Sequence, residues 1–211
     1  MSLVIELQEG LDKLELNLSK SAYTKLLAYV ALIAKWNKTY NLTAIRDEKE
    51  MIAHHILDSL SIISLISRDK LTNPRYADIG SGAGLPGIPI AIADPAINMT
   101  LFEVIEKKIA FQRQAKIELA LTNVTIESGR VEIGSAGVFN VVLSRAFASL
   151  RDFIRLSGHL LSEHGKLYAM KGAYPREELN EIPPGWRTLE CTRIKVPGLQ
   201  ADRHLVIMEK V

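Results

Sequence analysis

The chain has 211 residues, 47% hydrophobic and 24% charged, the balance of a globular domain of ordinary size with no run approaching the 18 apolar residues of a membrane span. Its start, MSLVIELQEG, carries acidic residues and no basic stretch, so a secretory leader is not expected. With Cys191 the single cysteine, a cytoplasmic, disulfide-free protein is. The 26 basic and 24 acidic residues leave a net charge of +2, which neither points to a polyanionic partner nor excludes one, because local patches decide.

Residues 1–70 read as helical. SKSAYTKLLAYVALIAKWNKTY (19–40) sets Tyr23, Leu26, Leu27, Val30, Ile33 and Ala34 on one stripe, with Ser19 or Ser21 as N-cap. A polar bridge (37–50) leads to MIAHHILDSLSIISLI (51–66), a second helix, apolar on more than one face and therefore buried. From Arg75 the pattern alternates. Strands are expected at 75–80, 99–105, 123–128, 139–146 and 165–172, and helices at 85–94, 106–121 and 149–161. Such alternation predicts a parallel sheet with helices on both faces. Two more strands, 186–196 and 204–211, have only a Pro-Gly turn between them, which predicts an antiparallel hairpin at one sheet edge.

At YADIGSGAGLPGIPIAIADP (76–95) two ligand fingerprints overlap. From Asp78 the string reads acid-x-G-x-G-x-G (Asp78, Gly80, Gly82, Gly84), which suggests S-adenosylmethionine. From Gly82 it reads G-x-G-x-x-G (Gly82, Gly84, Gly87), which suggests a dinucleotide. Both place bare backbone between a strand and a helix, at the carboxyl edge where open α/β sheets bind ligands. Glu103, ending the second strand, suits a ribose diol in either case. Asp78 separates them: a dinucleotide seats its pyrophosphate at the helix N-terminus, where a nearby carboxylate repels it, whereas a sulfonium ligand tolerates the acid. The helical residues before the glycine strand also favour S-adenosylmethionine. So does the terminal hairpin, which resembles the reversed last strand of Rossmann-like methyltransferases. Gly87 is then left for close packing of helix on strand.

Further segments follow in order: NLTAI (41–45), HILDSL (55–60), DIGSGAGLPGIPIAI (78–92), ESGRVE (127–132), LSRAFASL (143–150), MKG (170–172) and DRHLVIM (202–208). In this set the chain resembles the small-subunit ribosomal RNA guanine-N7 methyltransferase family, also called the glucose-inhibited division protein B family. The resemblance implies an α/β, Rossmann-like class I S-adenosylmethionine-dependent methyltransferase. Its sheet would be mostly parallel and seven-stranded with an antiparallel C-terminal hairpin. It implies one domain over 1–211, with a helical region (1–70) packed on the core (71–211). The implied reaction is methyl transfer to N7 of a specific guanine in 16S ribosomal RNA by direct SN2 attack, with S-adenosyl-L-homocysteine as product. The implied partner is 16S rRNA or a precursor small subunit, with no membrane and no stable protein partner.

Cofactor contacts are implied from Gly80 and Leu85, from Val131 and Glu132 near the adenine, and from Arg145. Asp78, Gly82, Gly84 and Glu103 join them from the loop chemistry. Two departures stand out: the family's usual Arg-Ala-Glu is Arg130-Val131-Glu132 here, and the acid after the second strand, often Asp, is Glu103. A same-fold methyltransferase for another substrate and a non-catalytic rRNA-binding assembly factor remain alternatives.

Guanine N7 carries a lone pair and no proton, so its methylation needs positioning and electrostatics but no general base. No Ser-His-Asp pattern occurs. After the fourth strand, Ser144-Arg145-Ala146-Phe147 stands where exocyclic-amine enzymes carry [Asn/Asp]-Pro-Pro-aromatic. Cys191 lacks a partner motif and reads as a buried structural thiol. Arg145 has two readings: contact with the cofactor carboxylate, base or phosphate, or an ion pair with Asp78 or Glu132. Phe147 either stacks on an extruded guanine or packs in the core. Among His54, His55 and Asp58, His54 and Asp58 stand i, i+4 on one helix face, but with no H-E-x-x-H and no third ligand no metal is expected; a surface pair or a buried contact between helical region and sheet is. Candidate RNA contacts are Lys35, Lys38, Arg46, Phe147, Lys171, Arg203 and His204, each with solvated surface charge or packing as its plain alternative. Lys107, Lys108, Arg113 and Lys116 read as a solvent face.

Overall fold

Ser19 opens the longest helix, α2 (Lys20–Tyr40), its hydroxyl accepting from Ala22 N at 3.1 Å. The helix ends at Asn41, whose left-handed conformation (φ 48°) breaks the ladder. Its buried stripe is Leu26, Tyr29, Val30, Ile33 and Asn37. That stripe is turned slightly from the expected one, because Tyr23, Leu27 and Ala34 are only half-buried and Tyr29 goes fully in. This computed structural model describes residues 2–68, 71–133, 137–145 and 147–211, the side chain of Ile133 excepted. Ala146 of the segment after the fourth strand lies outside the described residues.

α1 (Leu3–Lys13) precedes α2, capped by Ser2. The helix expected over 51–66 is broken. α3 (Glu48–Met51) starts under an Asp47 cap, widens into a π-helix over Ile52–Leu57, and resumes as α4 (Asp58–Leu60) and α5 (Ile63–Ile66). Side chains support the widened turn: the His54 carbonyl accepts from Arg145 Nη1 and the His55 carbonyl from the Ser59 hydroxyl. Burial all round is as expected, with Met51, Ile52, Ile56, Leu57 and Leu60 essentially inaccessible.

The sheet comprises β1 (Arg75–Ile79), β2 (Asn98–Glu103), β3 (Val124–Ser128), β4 (Phe139–Ser144), β5 (Leu161–Lys171), β6 (Trp186–Arg193) and β7 (His204–Lys210). It is seven-stranded, in the order β3-β2-β1-β4-β5-β7-β6, with β7 antiparallel to both neighbours. α6 (Gly87–Ala93), α7 (Glu106–Glu118) and α8 (Leu150–Ser157) supply the crossovers. β5 starts earlier than expected because α8 stops at Ser157 and a 3-10 turn, Gly158–Leu160, turns the chain. There Gly158 lies against Trp186, leaving no room for a Cβ. The sequence reading did not anticipate α9 (Arg176–Asn180), between β5 and β6.

Each sheet face has its own core. On one, Leu7, Tyr29, Met51, Ile88, Leu101 and Ile207 belong to a continuous cluster joining α1–α6 to the strands. On the other, Ala77, Phe102, Val142, Phe153 and Leu167 pack under α8. Burial of this kind is worth about 25 cal/mol per Å² of apolar surface and dominates the fold's stability. The hairpin loop also joins the helical layer: a Cβ on Gly198 (φ 77°) would stand 3.3 Å from Ala53 Cβ. Among the described residues no helix is long and apolar enough to cross a membrane.

Candidate functional site

β1 ends at Ile79, and Gly80, Gly82 and Gly84 then take positive φ (66°, 60° and 83°). Their reasons differ. A Cβ on Gly82 would meet nothing nearer than 3.9 Å, so this backbone is open to a ligand. A Cβ on Gly84 would stand 2.4 Å from Ile88 Cδ1, so Gly84 serves packing beneath the loop. Gly87 meets its expectation of close helix–strand contact, with Leu101 Cδ2 2.4 Å and Asp78 Oδ2 2.9 Å from where its Cβ would be. Leu85 is buried.

Asp78 lies under the loop, fully buried. Its Oδ2 accepts from Gly87 N at 2.8 Å, and Oδ1 has no hydrogen-bond partner among the described residues. Burial pushes its pKa up to about 7, and Glu103 adds to the rise, against the Gly87 N–H and the Arg145 charge, which lower it. The carboxyl is therefore about half ionised near neutral pH. The charge contrast expected to sort sulfonium from pyrophosphate is correspondingly softer.

Glu103, 5% exposed, reaches across from β2: Oε2 accepts from Gly82 N at 2.8 Å, and Oε1 from Val104 N and Ile105 N at 2.9 Å each. The extra methylene over Asp lets one carboxylate brace the glycine loop and the start of the next one. A carboxylate has about four acceptor sites, so these three N–H donors leave one, on Oε2, for a diol hydroxyl. Val131 and Glu132 form a 3-10 turn after β3 at the same edge, Val131 buried and Glu132 exposed.

Two loop residues escaped the sequence reading. Gln112 on α7 donates Nε2 to Ser81 Oγ (2.9 Å) and Gly82 O (2.8 Å), and the Tyr29 hydroxyl of α2 donates to Ala83 O. Neither lies on the apolar stripe expected for its helix, and both are fully buried with their polar ends on the loop. Open space over Gly82, acceptor oxygens at Glu103, and the buried, unpartnered Asp78 Oδ1 together fit a nucleoside-type cofactor carrying positive charge.

At the ends of β4 and β5 and the start of β7 lies a pocket of about 360 Å³, lined by His54, His55, Asp58, Arg145, Lys171 and Arg203 among others. Asp58 is fully buried and holds both arginines. Arg145 Nη1 donates to Oδ2 at 3.0 Å and Arg203 Nε to Oδ1 at 2.8 Å. Arg145 thus has an ion-pair partner that the sequence reading, with Asp78 and Glu132 in view, did not consider. Asp58 makes the buried contact between helical region and sheet, one of the two expected alternatives, while half-buried His54 offers Arg145 only its carbonyl and His55 bonds Thr43 within the helical region. Among the described residues no group of three or more His, Cys, Asp or Glu is placed to hold a metal ion. His55 Nε2 is 2.9 Å from Thr43 Oγ1, while Nδ1 has no partner among the described residues. Burial, then the Arg145 charge, lowers its pKa to about 4, so the ring is neutral at pH 7.

The other candidates are placed unevenly. Lys171 is mostly buried; its Nζ donates to Phe147 O (3.2 Å) and Ala148 O (3.1 Å) and pairs with Glu178 at 2.7 Å. Its charge is engaged in holding the segment after β4. His204 pairs with Lys171 across the β5–β7 ladder, its Nδ1 2.9 Å from Gly172 O. The half-buried Phe147 ring lies 5.0 Å from that of Phe153. Lys35 and Lys38 are exposed on α2. Arg46 is exposed one residue from Ile45, which also lines the pocket. Cys191 is half-buried on β6, its thiol pKa raised by burial and so not activated. Two other cavities, of about 540 and 340 Å³, lie at the start of β5 and between α1 and α2, away from these residues.

A family model described as rRNA small subunit methyltransferase G matches residues 22–206. Proteins named ribosomal RNA small subunit methyltransferase G are similar over nearly the whole chain. One from Ralstonia nicotianae is 48% identical, covering 96% of this chain and 93% of its own, and one from Neisseria meningitidis is 48% identical, covering 97% of each. Among solved structures, TrmN from Thermus thermophilus superposes with a TM-score of 0.58 at 16% identity, over 76% of this chain and 53% of that one. A predicted O-methyltransferase from Agrobacterium tumefaciens gives 0.56 at 21% identity, over 74% and 79%. These structural likenesses establish the fold.

Proposed function

The chain belongs to the rRNA small subunit methyltransferase G family, and we propose that it transfers a methyl group from S-adenosyl-L-methionine to N7 of one guanine in 16S ribosomal RNA. One observation carries the reading: an open glycine loop braced by a buried carboxylate shares a sheet edge with a cationic pocket. Gly80, Gly82 and Glu103 would hold the nucleoside part of the cofactor, and Val131 and Glu132 the adenine end. When bound, the cofactor supplies an electrophilic methyl on a positively charged sulfur.

The protein's part is to orient and to exclude water. N7 offers a lone pair and loses no proton, so no side chain need act as base. The pocket suits this. Asp58 is tied to two guanidiniums, and His55, its pKa lowered to about 4 by burial and the Arg145 charge, is a weak base. Tyr29 and Asp58, both from the helical region, reach the glycine loop and the pocket, which supports treating 1–211 as one functional domain.

The test is methyl transfer. Incubation with methyl-labelled cofactor and unmodified 16S rRNA or precursor small subunits should label one guanine at N7. Label on an exocyclic amine, a protein or a small molecule would refute the assignment. Gly80→Asp puts a charged side chain at a left-handed position and should abolish cofactor binding by calorimetry.

A further inference from the structure

Asp58 is fully buried, yet it stands 87 residues from one of its partners and 145 from the other. Each carboxylate oxygen takes one guanidinium. The arginines come from different strand ends, and their side chains remain 27% and 23% exposed at the pocket. Arg145 spends a further contact on His54 O and Arg203 one on Asp202 O, which accounts for two of five N–H donors on each. Two adjacent guanidiniums repel unless anions lie between them. Asp58 neutralises one charge and leaves one unmatched.

We infer that Asp58 is a positioning residue: by bridging Arg145 and Arg203 it holds two guanidiniums side by side as one receptor for a phosphate of the RNA. The inference rests on the RNA reading above. A phosphate is favoured over the guanine ring because methylation makes the ring cationic, and guanidiniums facing it would oppose the transfer. Paired planar forks match phosphate oxygens.

The experiment turns on the sign of one effect. Asp58→Asn removes a negative charge from the pocket, so charge alone predicts tighter binding of a 16S rRNA transcript. The receptor predicts the opposite: at least about tenfold weaker binding and slower methyl transfer, with S-adenosylhomocysteine affinity within about twofold of wild type. Asp58→Asn placed on Arg203→Gln should then add little to Arg203→Gln alone. If Asp58→Asn does not fold, Arg203→Lys keeps the charge, loses the fork and carries the same expectation. RNA binding that is unchanged or tighter in the folded variant overturns the inference while leaving the RNA reading intact. An equal loss of S-adenosylhomocysteine affinity overturns it in favour of the cofactor's carboxylate. Wild-type protein that binds the transcript without salt dependence would overturn both.

Discussion

Over β1–β3 the sheet's carboxyl edge is made of backbone: positive-φ glycines, amides turned to Glu103, and a helix start anchored on Asp78. Over β4, β5 and β7 it is made of side chains: two arginines, a lysine and two histidines arranged around one buried aspartate. Tyr29 of α2 apart, the first half is assembled from residues within one strand-loop-helix unit and its neighbour. The second draws on a helical segment, two strand ends and a hairpin far apart in the chain. A surface that must approach a ligand closely is best built from chain without side chains. A surface that must match charge has to import it from wherever the fold brings it.

Changes in each half sharpen that contrast. The largest effect is expected from Gly87→Val. Its side chain would collide with Leu101 and Asp78, costing about 3 kcal/mol of stability in thermal unfolding. Cofactor affinity of the folded protein should fall by more than about tenfold while RNA binding persists, and parallel loss of both would break the division.

Asp78 lies where the halves meet, since both Glu103 and Arg145 act on it. Its folded pKa, about 7, lies above the ordinary 3.8, so its contribution to stability is fully present below pH 4 and is lost as pH rises toward and through 7. Relative to wild type, Asp78→Asn should therefore gain roughly 2 to 3 kcal/mol between pH 5 and pH 8 in paired denaturation curves. A pH-independent difference would show that the carboxyl ionises normally.

The smallest effect is expected in the second half. Glu178→Gln weakens the pair with Lys171 and the bond from Leu150 N, costing about 1 kcal/mol. It should slow methyl transfer to RNA several-fold by loosening the segment after β4, with S-adenosylhomocysteine affinity unchanged. A matching drop in that affinity would mean the two halves are coupled.

Legibility in the sequence follows the same line. The loop around Asp78, Gly80 and Gly82 was legible because strand, loop and helix are adjacent in the chain and glycine suits its left-handed turns, although Gly84 serves packing and not the open face. Gly87 was legible as a packing residue because it falls inside the helix that follows. Gln112 and Tyr29 were not legible because both fall off the expected apolar stripes, and the loop carbonyls and hydroxyl they reach lie 30 or more residues away in the chain. Asp58 with Arg145 and Arg203 was unreadable as a unit, since nothing in local spacing says which distant charges meet. The break in the helix over 51–66 was invisible too: its widened turn is supported by Arg145, far along the chain.

The reversal of β7 has an effect on assembly order. Because this strand runs against its neighbours, its beginning lies at the carboxyl edge, so Arg203 and His204 arrive beside Lys171. A chain emerging from synthesis can form the glycine loop and β1–β5 before those residues exist. The pocket needs that last strand: a chain truncated before β7 keeps Arg145 as the partner of Asp58 and lacks Arg203, and is expected to lose RNA binding before cofactor binding.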